Sequence, residues 1–249
     1  MTGSHYSIEI EGLSVSYERK RVLTAIYANI EAGSLVGVVG PNGAGKSTLF
    51  KAILGLIDVN AGTVRVNGAP VEESRKKMAY VPQKDNVDWD FPATVMDIVL
   101  MGRYPHKSVL QRISASDKRI TREALEQIGI ADLAGRQIGE LSGGQQQRVF
   151  IARALAQQAD IFLLDEPFVG VDITTENKII QILRELAQLN KTMLVVHHDL
   201  STVADYFDKV LLLNQRLIAY GETAKTFTSE NIAKAYGPQL NILHKTARR

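Results

Sequence analysis

"LVGVVGPNGAGKSTLFKAILG", residues 35–55, decides the fold. It opens on a continuous apolar run of the kind that a strand buried on both faces requires. A glycine-rich turn follows, and then an amphipathic helical pattern. Strand, glycine turn and helix in that order are the context of a phosphate loop. Gly40, Gly43 and Gly45 are expected to let backbone N–H groups converge on the oxygens of a di- or triphosphate, with Pro41, Asn42 and Ala44 inside the same cradle. The helix beginning near Lys46 adds the positive end of its dipole. Lys46 should reach the β and γ phosphates, Ser47 should ligate magnesium and Thr48 should assist with the phosphates.

Working outward, "SIEIEGLSVSY" (7–17) and "AGTVRVNG" (61–68) have the period-two pattern and glycine punctuation of antiparallel strands. Further short strands are expected at "KMAYV", "DIFLLD", "TMLVVH" and "KVLLLNQ", separated by stretches long enough for helical crossovers. The fold class is therefore α/β: a P-loop core with an antiparallel β subdomain beside the parallel sheet. Between roughly 85 and 155 the texture turns helical. "TVMDIVLMG" and "SDKRITREALEQIG" lie here, the second with Ile120, Ala124, Leu125 and Ile128 on one face, which reads as an inserted helical subdomain. After 221 the pattern weakens: "TSENIAKAYG" suggests a short capped helix, and "ILHKTARR" a loose basic tail.

The phosphate loop needs carboxylates, and "DIFLLDEPFVGVD" (160–172) supplies two. Asp165 ends an apolar strand, where it can hold a magnesium shell. Glu166, next along, can polarise a water for attack on the γ phosphate. Gln83, after "MAYVP", stands at a strand exit, where it could sense both magnesium and the attacking water or be an ordinary loop glutamine. His198 in "MLVVHHDL" closes another strand and could donate to the γ phosphate. His197 beside it is the confounder, and by strand alternation one of the pair should face the site. A metal site on the two histidines would lack a third ligand nearby. Tyr17 could stack on an adenine or serve the core or surface. In "ELSGGQQQRVFIARALA" (140–156), Ser142, Gly143 and Gly144 begin a helix and form a second anion cradle, although Lys46 already heads a complete one.

Composition narrows the rest. With 249 residues, 45% of them hydrophobic, the chain can bury a core of its own. A formal charge of +2 gives no field that argues for nucleic acid or anionic lipid. The absence of cysteine removes disulfides, thiolate nucleophiles and sulfur-held metals together. The apolar runs fall short of the roughly 20 residues that cross a bilayer. The first residues lack a secretory pattern, so a cytoplasmic place is expected.

Taken together these motifs resemble the ATP-binding cassette (ABC) ATPases, along almost the whole chain as one domain, 1–249. "GPNGAGKST" is similar to the Walker A loop, "LSGGQ" to the family signature including Gln145, "IFLLDE" to the Walker B strand and "VGVD" to the D-loop. Gln83, His198 and Tyr17 match the Q-loop, switch histidine and A-loop aromatic. The resemblance implies ATP and Mg2+ as cofactors, with Ser47, Gln83 and Asp165 toward the metal. It also implies a head-to-tail dimer in which Ser142–Gln145 of one copy close over the ATP of the other.

"VPQKDNVDWDFPATVMDIVLMGRY", "PFVGVD" and "VHHDL" further resemble cassettes of manganese, zinc and iron importers, manganese above the others. That branch implies membrane permease subunits, indirectly a substrate-binding protein, a peripheral place on the cytoplasmic side of the cell membrane, and no nucleic-acid partner. An exporter cassette, or a non-transport ATPase acting on nucleic acid, is the alternative. The apolar segment Asp85–Tyr104, with Trp89, Phe91, Val95, Met96 and Met101, is expected to contact the permease or else to pack the helical lobe.

Overall fold

The computed structural model describes residues 6–18, 20–83, 89, 91–108 and 111–237. Strands β1 (Tyr6–Tyr17), β2 (Lys20–Glu31) and β3 (Leu35–Val39) lead into helix α1 (Lys46–Ile53). Then come β4 (Ala61–Val66), β5 (Ala69–Pro70), α2 (Val71–Ser74) and β6 (Met78–Val81). Helices α3 (Val95–Leu100), α4 (Ala115–Gln127) and α5 (Gly143–Ala156) precede β7 (Ile161–Leu164), α6 (Ile173–Gln188) and β8 (Thr192–His197). The described chain continues through α7 (Val203–Tyr206), β9 (Lys209–Asn214), β10 (Arg216–Glu222), α8 (Thr223–Thr226) and α9 (Ser229–Tyr236). It divides into two compact units, one comprising Lys76–Met193 and the other the residues on either side of that span.

In the unit built from both ends of the chain, the antiparallel sheet runs β2-β1-β4-β5. Ile8, Ile10, Leu13 and Val15 of β1 and Leu23, Ile26, Ala28 and Ile30 of β2 are buried; the alternation slips by one residue between 10 and 13 and between 23 and 26, where Gly12 and Ala25 take positive φ and the pairing register shifts. Strand β3, with all five residues buried, pairs in parallel with β9, and β10 returns antiparallel to β9. Each fully buried Val, Leu or Ile in such a strand is worth roughly 1.5–3 kcal/mol over its exposed state. Glu31 at the end of β2 accepts from the Tyr220 hydroxyl at 2.7 Å and pairs with Lys209 at 2.6 Å, which ties β2 to β9 and β10. Strand β10 was not separable in the sequence, because no residue of it is fully buried and no alternation marks it.

In the other unit β6 pairs in parallel with β7. Helix α5 covers the open edge of β6: Arg153 donates to the Tyr80 carbonyl at 3.0 Å, and Gln157 donates to the Met78 carbonyl at 2.6 Å. Among the described residues between Val81 and Ile161 lie the α-helices α3 to α5 and short 3-10 turns, with no extended strand. The buried stripe of α4 is Asp117, Thr121, Ala124 and Leu125, with Ile128 just beyond. Ile120, expected on that face, is only half-buried. The stripe is rotated because Asp117 is held inside by Arg103, at 3.2 Å, and by Lys107, which with the Ser114 cap hold its carboxyl below the usual range. Of the expected permease segment, residues 84–88 and 90 lie outside the described residues, as does the basic tail 242–249.

Candidate functional site

The phosphate loop spans the gap between β3 and α1. Gly45 has φ 96°, and a Cβ on it would stand 2.6 Å from the Leu23 side chain, so only glycine fits. Helices α3, α4, α5, α6 and α9 are each capped by a side chain, from Thr94, Ser114, Ser142, Asp172 and Thr228 in turn. Helix α1 has no side-chain cap and no acid in its first turn. A helix start with no side-chain cap and no acid suits an anion from outside, which is the condition a nucleotide phosphate meets. Lys46, buried, donates from Nζ to the carbonyls of Gly40 at 2.7 Å and Pro41 at 3.0 Å, so its ammonium is held over the loop. Ser47, Asn42 and Gly43 are exposed and Thr48 is half-buried.

Glycine is needed at 40, because a Cβ there would lie 2.0 Å from the Leu213 carbonyl oxygen. The Ala44 carbonyl accepts the Gln215 N–H at 2.8 Å, while the Ala44 N–H donates to the Pro41 carbonyl at 3.1 Å.

In the same unit, Tyr17 ends β1 opposite Lys20 with its ring 44% exposed. The histidine pair divides at the end of β8, whose residues are all buried: His197, its last residue, is buried, and His198, just past it, is exposed. His197 Nε2 lies 2.7 Å from Thr202 Oγ1, and that hydroxyl donates to the Asp199 carbonyl at 3.2 Å. Burial pushes its ionisation down to about 4, and the ring packs edge-on against Phe207 at 5.3 Å. No cluster of three ligating side chains occurs among the described residues.

In the Lys76–Met193 unit, Asp165 follows β7 and is buried. Glu166 has a left-handed backbone, φ 54°, and its Oε2 accepts from Gln83 Nε2 at 3.0 Å. The structure thus brings the expected base and the expected sensor into direct contact. Tyr80, which sequence reasoning missed, directs its hydroxyl at Asp165 Oδ2 over 3.4 Å. Its phenol is pushed up to about 12 by burial and then by the Asp165 charge. Ser142 and Gln145 form a capping box on α5: Gln145 N–H donates to Ser142 Oγ at 3.4 Å, and Ser142 N–H donates to Gln145 Oε1 at 2.9 Å. Gln145 therefore shapes the turn through its carbonyl oxygen, and the Ser142 hydroxyl proton stays available for an anion. Tyr80 stands in no local motif, and only its strand position three residues before Gln83 singles it out.

The ABC transporter family profile matches residues 23–169, more than half of the chain. A manganese transport system ATP-binding protein, MntB, of Halalkalibacterium halodurans is 51% identical over 238 residues, which cover 96% of this chain and 95% of that protein. A zinc transport system ATP-binding protein, TroB, of Treponema pallidum is 49% identical over 241 residues, covering 97% and 91%. Among solved structures, a nucleotide-free ATP-binding cassette from an ABC transporter superposes with a TM-score of 0.80 at 25% identity, covering 94% of this chain and 96% of that one.

Proposed function

The chain belongs to the ABC transporter family, and on that premise we propose that it powers a membrane permease importing a divalent transition metal, manganese before zinc or iron. It is an ABC-type ATPase whose cofactors are ATP and Mg2+. The observation that carries the import reading is the half-identity, along nearly the whole length, with cassettes named for manganese and zinc transport systems. No helix among the described residues is long and apolar enough to cross a membrane; as proposed, the permease subunits supply the path for the ion. On this reading the cassette sits on the cytoplasmic side of the membrane, held by permease subunits and served indirectly by a substrate-binding protein.

The residues divide the work as follows. The uncapped first turn of α1, with Lys46, binds the phosphates; Tyr17 offers an exposed ring to the adenine. Ser47, Asp165 and Gln83 would hold the magnesium, whose charge offsets that developing on the transferred phosphoryl oxygens. Glu166 takes a proton from the attacking water as its oxygen bonds to the γ phosphorus and the bond to the β-bridging oxygen breaks. The Gln83 amide, donating to Glu166, holds that carboxylate ready as the acceptor. His198 donates to the γ phosphate. Ser142, Gly143 and Gly144, with Gln145 fixing their turn, close over the ATP of a second copy arranged head to tail.

The permease contact narrows within Asp85–Tyr104. Val95 is buried and Trp89 packs edge-on against Phe150 at 5.3 Å, so both serve the lobe. Phe91 and Tyr104, 50% and 56% exposed, are the side chains offered to a partner. The experiment is uptake by cells lacking the gene for this chain, complemented with wild type or with Lys46→Ala. Radioactive manganese should enter with the wild type and not with the variant, and zinc and iron should enter more slowly. Uptake unaffected by loss of the gene, or efflux in its place, would overturn the reading.

A further inference from the structure

His197 is buried beside His198, to which the γ phosphate contact is assigned, and has no part of its own in the hydrolysis. The chain that follows explains why the two stand together. Strand β8 ends at His197, and the next residues fold back at once: Asp199 Oδ1 accepts the Ser201 N–H at 2.9 Å and the Ser201 hydroxyl at 2.6 Å. The Asp199 carbonyl accepts the Thr202 N–H at 3.4 Å and the Thr202 hydroxyl at 3.2 Å. Thr202 stands at the head of α7 but does not cap it with its side chain, so the hydroxyl belongs to the turn.

Across the mouth of this turn, His197 Nε2 lies 2.7 Å from Thr202 Oγ1. The contact joins the residue before His198 to the residue that closes the turn after it, so His198 rides on a short loop fastened at both ends. The fastening point is well packed. His197 is 4% exposed, and its ring meets Phe207 at 5.3 Å and Tyr206 at 5.7 Å between centroids. Phe207 is fixed in turn against β3, where it fills the space that a Cβ at Gly37 would need, 2.6 Å from its ring. The buried imidazole holds the loop from inside, and the exposed one is presented outside.

We propose that His197 is a positioning residue for His198, acting through Thr202. This rests on the reading of His198 as the donor to the γ phosphate. Opening the clasp leaves the His198 imidazole chemically intact but lets its loop take other conformations, so the fraction of molecules with the donor in place falls. Nucleotide binding, assigned to residues 40–48, is left as it was.

His197→Leu keeps an apolar side chain in the core and removes the polar contact; Thr202→Val removes the hydroxyl and keeps its shape. In the full chain, kcat for ATP hydrolysis, measured per nucleotide-binding site, should fall about 3- to 10-fold in each, as loss of one hydrogen bond predicts. KM, and the ATP dissociation constant by displacement of a fluorescent nucleotide, should stay within about 2-fold of the wild type. The double variant should lose no more than either single one, since both open the same contact. Thr202→Ser and His197→Gln restore the polar partners and should hydrolyse ATP near the wild-type rate. His197→Gln gives up the aromatic packing and should melt below His197→Leu. Stability and kcat would then rank these two variants in opposite orders, which a merely structural His197 does not produce.

Wild-type kcat in Thr202→Val, a rise in KM in place of the fall in kcat, or a His197→Gln that loses as much kcat as His197→Leu would reduce His197 to packing. Should His197→Leu not fold, Thr202→Val against Thr202→Ser decides the matter. His198→Ala tests the underlying reading separately, and should lose at least as much kcat as either variant. If it hydrolyses ATP like the wild type, His198 is not the donor and both readings fall; if it fails while His197→Leu and Thr202→Val do not, only the role of His197 falls.

Discussion

Glu166 carries two constraints at once, a left-handed backbone and a carboxylate held by Gln83. Its substitution by Gln keeps the size and removes the proton acceptor. Hydrolysis by Glu166→Gln should fall by about 10²- to 10⁴-fold in kcat with ATP binding retained, as single-turnover and equilibrium binding measurements would separate. Gln83→Ala should reduce kcat less, because it releases the carboxylate without deleting it. His197 makes a different prediction, about acid. Its folded ionisation is lowered to about 4 from the ordinary 6.5 by burial, with the neighbouring Asp199 and His198 charges as smaller opposed effects. The neutral imidazole is the form the fold prefers, so its contribution is complete above about pH 6.5 and is lost as pH falls toward 4. The loss approaches about 3 kcal/mol at the bottom of that window. Thermal melting between pH 7 and 4.5 should show a steep acid slope in the wild type and a shallower one in His197→Gln. Equal slopes would assign the acid sensitivity elsewhere.

Among the helices, α4 and α5 begin with the same device, a serine whose hydroxyl and N–H both engage the residue three positions on. Ser114→Ala and Ser142→Ala should each cost about 1 kcal/mol of stability by the loss of a cap. Only the second should slow ATP hydrolysis, since only that turn is proposed to meet a nucleotide. Equal activities in the two variants would make "LSGGQ" a plain helix start. The comparison also marks what could be read from sequence. The strand, loop and α1 were legible because glycine, lysine and apolar runs impose their geometry locally. Asp165, Glu166, Gln83 and His198 were legible as strand exits. The outward turn of Ile120 was not, because it depends on Asp117 finding Arg103 and Lys107. Strand β10 was hidden because its residues are half-buried and its hairpin turns on Gln215, a non-glycine residue at positive φ. The contact of Tyr80 with Asp165 joins residues far apart in the chain, and no local pattern announces it.

At the scale of the assembly, the two anion-reading helix ends predict a dimer in which each ATP is held by both copies. Glu166→Gln with ATP should elute as a dimer by size-exclusion light scattering, and as a smaller species without nucleotide. A heterodimer of one Lys46→Ala chain with one Ser142→Arg chain should keep one site able to trap ADP with vanadate, whereas a doubly substituted chain paired with wild type should keep none. Identical trapping in the two would rule out sharing across copies. The way α5 is fastened to β6 sets how such a contact can be gated. With Arg153 and Gln157 as the fixed points, Ser142 stands at the end of an arm of about 16 Å, at 1.5 Å per residue. A tilt of about 10° at the fixed points would swing the serine by nearly 3 Å, about the length of one hydrogen bond. The helix would thus act as a lever, carrying with it the α3 and α4 that pack against it, and a small rotation would make or break the proposed grip on a phosphate at its tip.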